Sequence, residues 1–122
     1  MADDDKKPAD DDKKEREKKA VEERLARSPV ASRGSVTLAG GARLGYLATC
    51  EYLPVLDHAF GNERGQPEAA IFTTAYEAEG AAPATRPVCF AFNGGPGSSS
   101  VWLHLGALGP KRVVVPDDAS MP

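Results

Sequence analysis

Asn93-Gly94-Gly95-Pro96-Gly97-Ser98-Ser99-Ser100 is the stretch of this chain whose residue types and spacing suit chemistry. It follows the apolar run Val88–Phe92 and precedes Val101-Trp102-Leu103, so it reads as strand, glycine-rich turn and helix start. Bare backbone N–H groups in such a turn converge on an anionic guest. Several chemistries compete for it. A Walker nucleotide loop needs a lysine after its second glycine, and no lysine lies between Lys19 and Lys111. The dinucleotide fingerprint Gly-x-Gly-x-x-Gly begins at Gly95-Pro96-Gly97, but Ser100 stands where its last glycine belongs. Asp117 is near the spacing of the ribose-binding acid, yet it lies past Pro116.

A nucleophile elbow, Gly-x-Ser-x-Gly, fails at Val101 in Gly97-Ser98-Ser99-Ser100-Val101. Ser100 and His104 are four apart and would be neighbours on a helix, but Asp117 and Asp118 are poorly placed to orient that imidazole. Ser98–Ser100 therefore read as helix-start hydroxyls, and His104 as a partly buried, hydrogen-bonded residue. An oxyanion hole suits the turn better. In α/β-hydrolases one donor is the N–H after the nucleophile, and the other comes from the loop after the third strand. Glycines are needed there because side chains would block the tetrahedral intermediate. A structural turn that binds nothing remains the alternative on spacing alone.

The elements that must hold this turn begin near Ser35. Val36 and Leu38 alternate with polar or small residues, and Leu44, Tyr46 and Ala48 resume the alternation after Gly40-Gly41. The pattern predicts a β-hairpin with a two-residue loop, its second strand extending to Cys50 and stopping before Pro54. Asp57 to Gln66 reads as a loop, and Ala69 to Ala78 as a third strand. After a connection over Glu79–Pro87, Val88–Phe92 reads as a strand buried on both faces. A helix is expected from Ser99 to Leu105, stopped by Gly106 and Gly109-Pro110, with a last short strand over Arg112–Val115. A doubly buried strand needs neighbours on both edges and helices on both faces, which one short helix does not provide. The expected fold class is thus the start of an α/β domain that looks truncated at its C-terminal end.

Composition sets outer limits. The 122 residues allow one domain at most, and a net charge of −3 gives no reason to expect nucleic acid or an anionic membrane as partner. No apolar run approaches the roughly 20 residues of a bilayer span. The N-terminus is charged where a secretory signal has its apolar region, which favours the cytoplasm. Residues 1–30 are rich in Asp, Glu, Lys and Arg and read as a disordered, solubilising tail. Its acid-first pairs Asp10/Lys14, Glu15/Lys19 and Glu23/Arg27 support at most a frayed helix, at about 0.2–0.5 kcal/mol each. Cys50 and Cys89 are expected as two buried free thiols in strands.

The block Asn93-Gly94-Gly95-Pro96-Gly97-Ser98-Ser99-Ser100, followed by Leu108-Gly109-Pro110, resembles the N-terminal signature of the serine carboxypeptidase family. Trp102 to Pro110 looks like its bacterial branch. The resemblance is specific between Pro87 and Pro110 and extends in layout from Ser35 to Val115. It implies that residues 31–122 are the N-terminal fragment of an α/β-hydrolase domain. The implied activity is a serine-type carboxypeptidase, which releases the C-terminal residue of a peptide through an acyl-enzyme, with no cofactor and no metal. The implied partner is a peptide substrate held by its C-terminal carboxylate. Carried over, the Gly95 N–H is an oxyanion donor, and the Asn93 side chain and Gly94 N–H hold that carboxylate. A neutral amide and a bare N–H are suitable donors, because they bring no competing charge.

Departures from the family pattern carry consequences. Ser98 stands where many members have a cysteine, so the disulfide they make there has no counterpart. Ala91 replaces a tryptophan beside the carboxylate site. Ala107 replaces a glutamate associated with acidic working pH, so a neutral optimum is expected. The family's nucleophile lies in a downstream elbow, with Asp and His later still. None of Ser28, Ser32, Ser35, Ser98, Ser99, Ser100 or Ser120 has that context, and the isolated chain is expected to be inactive. An acyltransferase using the same acyl-enzyme with an alcohol acceptor, and a non-catalytic interaction module, are the other two functions these residues allow.

Overall fold

Val36 and Leu38 before Gly40-Gly41, and Leu44 and Tyr46 after it, zip into a hairpin because the intervening residues tolerate a sharp reversal. The structure is a computed structural model, described over residues 7–57, 65–95, 97–118 and 120. The hairpin's strands are β1 (Val30–Thr37) and β2 (Arg43–Leu56), and β3 (Pro67–Ala78) completes a three-stranded antiparallel sheet in the order β1-β2-β3. The connection is one residue longer than the pattern predicts. The Leu38 N–H donates to the Ala42 carbonyl at 2.8 Å and the Gly41 N–H to the Leu38 carbonyl at 2.8 Å, leaving Ala39, Gly40 and Gly41 as the loop. Gly41, at φ 81°, takes the left-handed position that ends such a three-residue turn.

β2 does not stop before Pro54. It continues through Pro54↔Ala70 and Val55↔Ala69 to Leu56↔Pro67, with a bulge between Val55 and Leu56. The hairpin register explains why proline is accepted. With Leu38 bonded to Ala42, Gly34 falls opposite Tyr46 and the eight residues of β1 reach only to Cys50. Beyond that point β2 has, among the described strands, a neighbour on one side only, so a missing N–H need not break a ladder bond. β3 begins slightly earlier than expected and otherwise follows the sequence pattern. Of the loop expected over 57–66, residues 58–64 lie outside the described residues.

By Cα proximity the chain divides into two units, Met1–Gly34 with Gly45–Ala78 and Ser35–Leu44 with Glu79–Pro122. In the first, Tyr46 is the buried apolar residue among those described, at 7% exposure. Its ring lies over Gly34, where an added Cβ would overlap Tyr46 Cε2 at 2.9 Å. It also meets the Tyr76 ring edge-on at 5.5 Å, and Tyr52 meets Phe72 in the same manner at 5.4 Å. These cross-strand aromatic contacts hold the sheet register. The hydroxyl of Tyr76 is pushed above its ordinary 10.0, first by desolvation and then by the charges of Tyr46 and Cys50. The folded state therefore keeps that proton longer than the unfolded chain. Stability is expected to be full below pH 10.0 and to fall as pH rises through the folded-state value. Urea midpoints measured across the tyrosine titration check this, and a flat profile would contradict it.

The same unit carries α1 (Lys7–Leu25), a continuous helix where the charge pattern supports at most a frayed one. Its half-buried side chains are Ala20, Val21 and Leu25, and it packs against β3, which supplies the tertiary support that short polar helices lack. The ion pair that closes is Lys13–Glu17 at 3.9 Å, between side chains that stay largely in solvent. It forms in place of the acid-first pairs expected from the charge pattern and is worth little at the surface.

The second unit departs further from expectation. Val88–Phe92 is not a strand, and Val88, Phe90 and Phe92 are 77%, 83% and 76% exposed. A doubly buried strand exists only between neighbours, and no described strand lies beside this run. Arg112–Val115 is likewise irregular, tied back by the Val113 N–H donating to the Leu105 carbonyl at 2.9 Å. The helix is shorter and differently wound than expected. α2 (Val101–Leu103) passes directly into a π-helical turn over His104–Leu108. Gly106 lies inside that turn instead of ending it, and the turn closes with the Gly109 N–H on the His104 carbonyl at 2.9 Å. Cys50 and Cys89 are both free thiols, but only Cys50 is half-buried and in a strand. Cys89 is exposed, because the strand expected to bury it does not form. The architecture of the described residues is thus mixed α and β, with one antiparallel sheet and two helices. No described helix is long and apolar enough to cross a membrane.

Candidate functional site

The turn between Phe92 and Val101 folds back on itself through its glycines. Gly95 at φ 88° and Gly97 at φ 83° occupy the left-handed region, where any side chain is strained. The Ser98 N–H donates to the Gly95 carbonyl at 3.2 Å and closes the reversal. Asn93, half-buried, ties the two ends together. Its backbone N–H donates to Ser100 Oγ at 3.0 Å, and its Nδ2 donates to the Ser99 carbonyl at 3.2 Å. Its Oδ1 accepts the Gly94 N–H at 3.1 Å. Ser99 Oγ accepts the Val101 N–H at 3.3 Å and so supports the start of α2.

The three residues singled out by the resemblance are therefore together in one turn, in different hydrogen-bonding states. Asn93 Nδ2 and the Gly94 N–H, the expected carboxylate donors, are both engaged inside the loop. The Gly95 N–H has no acceptor among the described residues. An exposed N–H held by a left-handed glycine is suited to an oxyanion, since aiming it requires no further reorganisation.

The serine–histidine alternative gains nothing from the geometry. The His104 backbone N–H reaches the Ser100 carbonyl at 3.0 Å, while the Ser100 hydroxyl is bonded to Asn93 and not to the imidazole. His104 is half-buried, as expected. The Asp118 carboxylate accepts the Ser120 N–H at 3.0 Å, a bond that holds it below its ordinary 3.8. It is committed to a local turn. Among the described residues no group of three or more His, Cys, Asp or Glu side chains gathers as metal ligands would.

Ser100 locks the turn, a part that its sequence context, which suggests only a helix-start hydroxyl, does not reveal. That part depends on the chain reversal. Two glycines with positive φ reverse the chain, and a serine just past the reversal returns to the asparagine that opens it. No family model, curated protein or solved structure matches this chain.

Proposed function

We propose that Asn93–Gly97 is the oxyanion and carboxylate-binding loop of a serine carboxypeptidase-type hydrolase. In this proposal residues 31–122 are the N-terminal part of an α/β-hydrolase domain, and the nucleophile lies outside these 122 residues. The observation that supports it best is the Gly95 N–H, left without an acceptor among the described residues beside Asn93 Nδ2 and the Gly94 N–H, which are both engaged. The exposed Val88, Phe90 and Phe92 are then a strand that orders when sheet neighbours are supplied.

In the reaction, a serine oxygen attacks the last peptide carbonyl and its oxygen gains negative charge. The Gly95 N–H donates to that oxygen, an interaction stronger in the transition state than in the bound substrate. The substrate's terminal carboxylate displaces Asn93 Oδ1 from the Gly94 N–H and competes with the Ser99 carbonyl for Asn93 Nδ2. That exchange is favourable because a charged acceptor makes bonds about twice as strong as a neutral one. Peptides with a free C-terminal carboxylate are expected to be cleaved, and the same peptides with a C-terminal amide are not. Assay of the protein with its downstream reading frame checks this. Equal cleavage of acid and amide peptides, or of neither, contradicts it. Transfer of the acyl group to an added alcohol in preference to water marks the acyltransferase form.

The internal bonding of Asn93 and Gly94 also supports a second reading, a structural turn in a non-catalytic interaction module. The same assay separates the two, since a module cleaves neither peptide.

A further inference from the structure

We propose that Asn93–Gly94 is a site of spontaneous covalent modification, at which the Asn93 carboxamide is converted to a carboxylate through a cyclic imide. The reactants are already side by side. The Gly94 nitrogen lies 3.1 Å from Asn93 Oδ1, the oxygen on the carbon it would attack. Gly94 has no side chain to obstruct the ring, and a Cβ built there meets nothing within 4 Å. Gly94 is exposed, and neither it nor the half-buried Asn93 belongs to a helix or strand, so ring closure breaks no ladder bond.

The chemistry balances with water alone. The Gly94 nitrogen, having lost its proton to solvent base, forms a bond to Asn93 Cγ. The Cγ–Nδ2 bond breaks and ammonia leaves with the proton it needs. Water then opens the imide at one of its two carbonyls, giving aspartate or isoaspartate at position 93. No oxidant or reductant is involved. Both the Asn93 Nδ2 bond to the Ser99 carbonyl and the Gly94 N–H bond to Oδ1 are absent in the imide. The aspartate product regains a Gly94 N–H and an acceptor for it, but the Nδ2 tie to Ser99 is lost for good. If the loop serves as proposed above, a carboxylate at 93 also repels the substrate carboxylate and switches the site off. That consequence rests on the functional reading; the modification does not.

Peptide mass mapping of the 122-residue chain, incubated at neutral and at mildly alkaline pH, tests the proposal independently of any activity. Asn62, followed by Glu63, is the internal comparison. Asn93 is expected to gain one mass unit on the order of tenfold faster than Asn62, because glycine leaves its nitrogen accessible. The rate is expected to rise with pH, and an isoaspartate-specific methyltransferase is expected to label the product. Gly94→Pro removes the attacking N–H and is expected to abolish conversion. Conversion of Asn93 no faster than Asn62, or of Gly94→Pro at the wild-type rate, overturns the proposal. So does a large acceleration in urea, which would show that the folded turn protects Asn93.

Discussion

Tyr46→Ala is expected to unfold the three-stranded sheet at room temperature. Tyr46 is the buried apolar residue among those described, and its ring bridges Gly34 on β1 and Tyr76 on β3. Truncating a buried aromatic side chain costs about 3–5 kcal/mol. A core this small rarely supplies more than about 3–5 kcal/mol in total, so the loss is comparable to the whole. Tyr76, at 41% exposure, is a poorer anchor, and its truncation is expected to cost less. Tyr46→Phe keeps the ring over Gly34 and the edge-on contact, and should shift the urea midpoint only slightly. Gly34→Ala should destabilise by a separate route, since its Cβ would displace the ring. Circular dichroism in urea reads all four. An unchanged midpoint for Tyr46→Ala would mean that the sheet is held elsewhere.

The second large effect concerns Gly95. At φ 88° an alanine is strained by about 1–2 kcal/mol, and relief of that strain re-aims the N–H. In the proposed hydrolase, losing one oxyanion donor is expected to lower kcat by about 10²–10³. Because that bond strengthens only in the transition state, KM should move little. Asn93→Ala should do the reverse, raising KM for free-acid peptides because it removes ground-state binding. Gly97→Ala, at φ 83°, introduces the same strain without touching an assigned donor. A Gly97→Ala loss as large as that of Gly95→Ala would assign the effect to loop distortion. Steady-state kinetics on the three variants decides between donor and distortion.

Local chemistry made some parts of this structure legible from sequence, and tertiary context hid others. The β1–β2 hairpin was legible because Gly40-Gly41 interrupts an alternating pattern, and the loop length differed only because Gly41 alone takes the left-handed position. Pro54 misled because its cost depends on whether a neighbouring strand is present on its N–H side, which the local sequence does not encode. Val88–Phe92 misled more strongly. Its apolar run specifies a buried strand only if partners exist, and here none is described beside it. α1 was hidden for a related reason, since its few apolar residues matter only once β3 lies against them. At the site, Asn93, Gly94 and Gly95 were legible as a group. That Asn93 and Gly94 spend their donors inside the loop, while Gly95 does not, depends on a chain reversal that spacing alone does not display.

The turn, in the function proposed for it, serves a serine lying elsewhere than in these 122 residues. Labelling with a fluorophosphonate probe, followed by mass mapping of the modified serine, tests it most directly. The 122-residue chain is expected to remain unlabelled at all seven of its serines. The protein expressed with its downstream reading frame is expected to label once, at the serine of a Gly-x-Ser-x-Gly elbow. Stoichiometric labelling of Ser99 or Ser100, or a complete downstream frame that takes no label, would contradict the account.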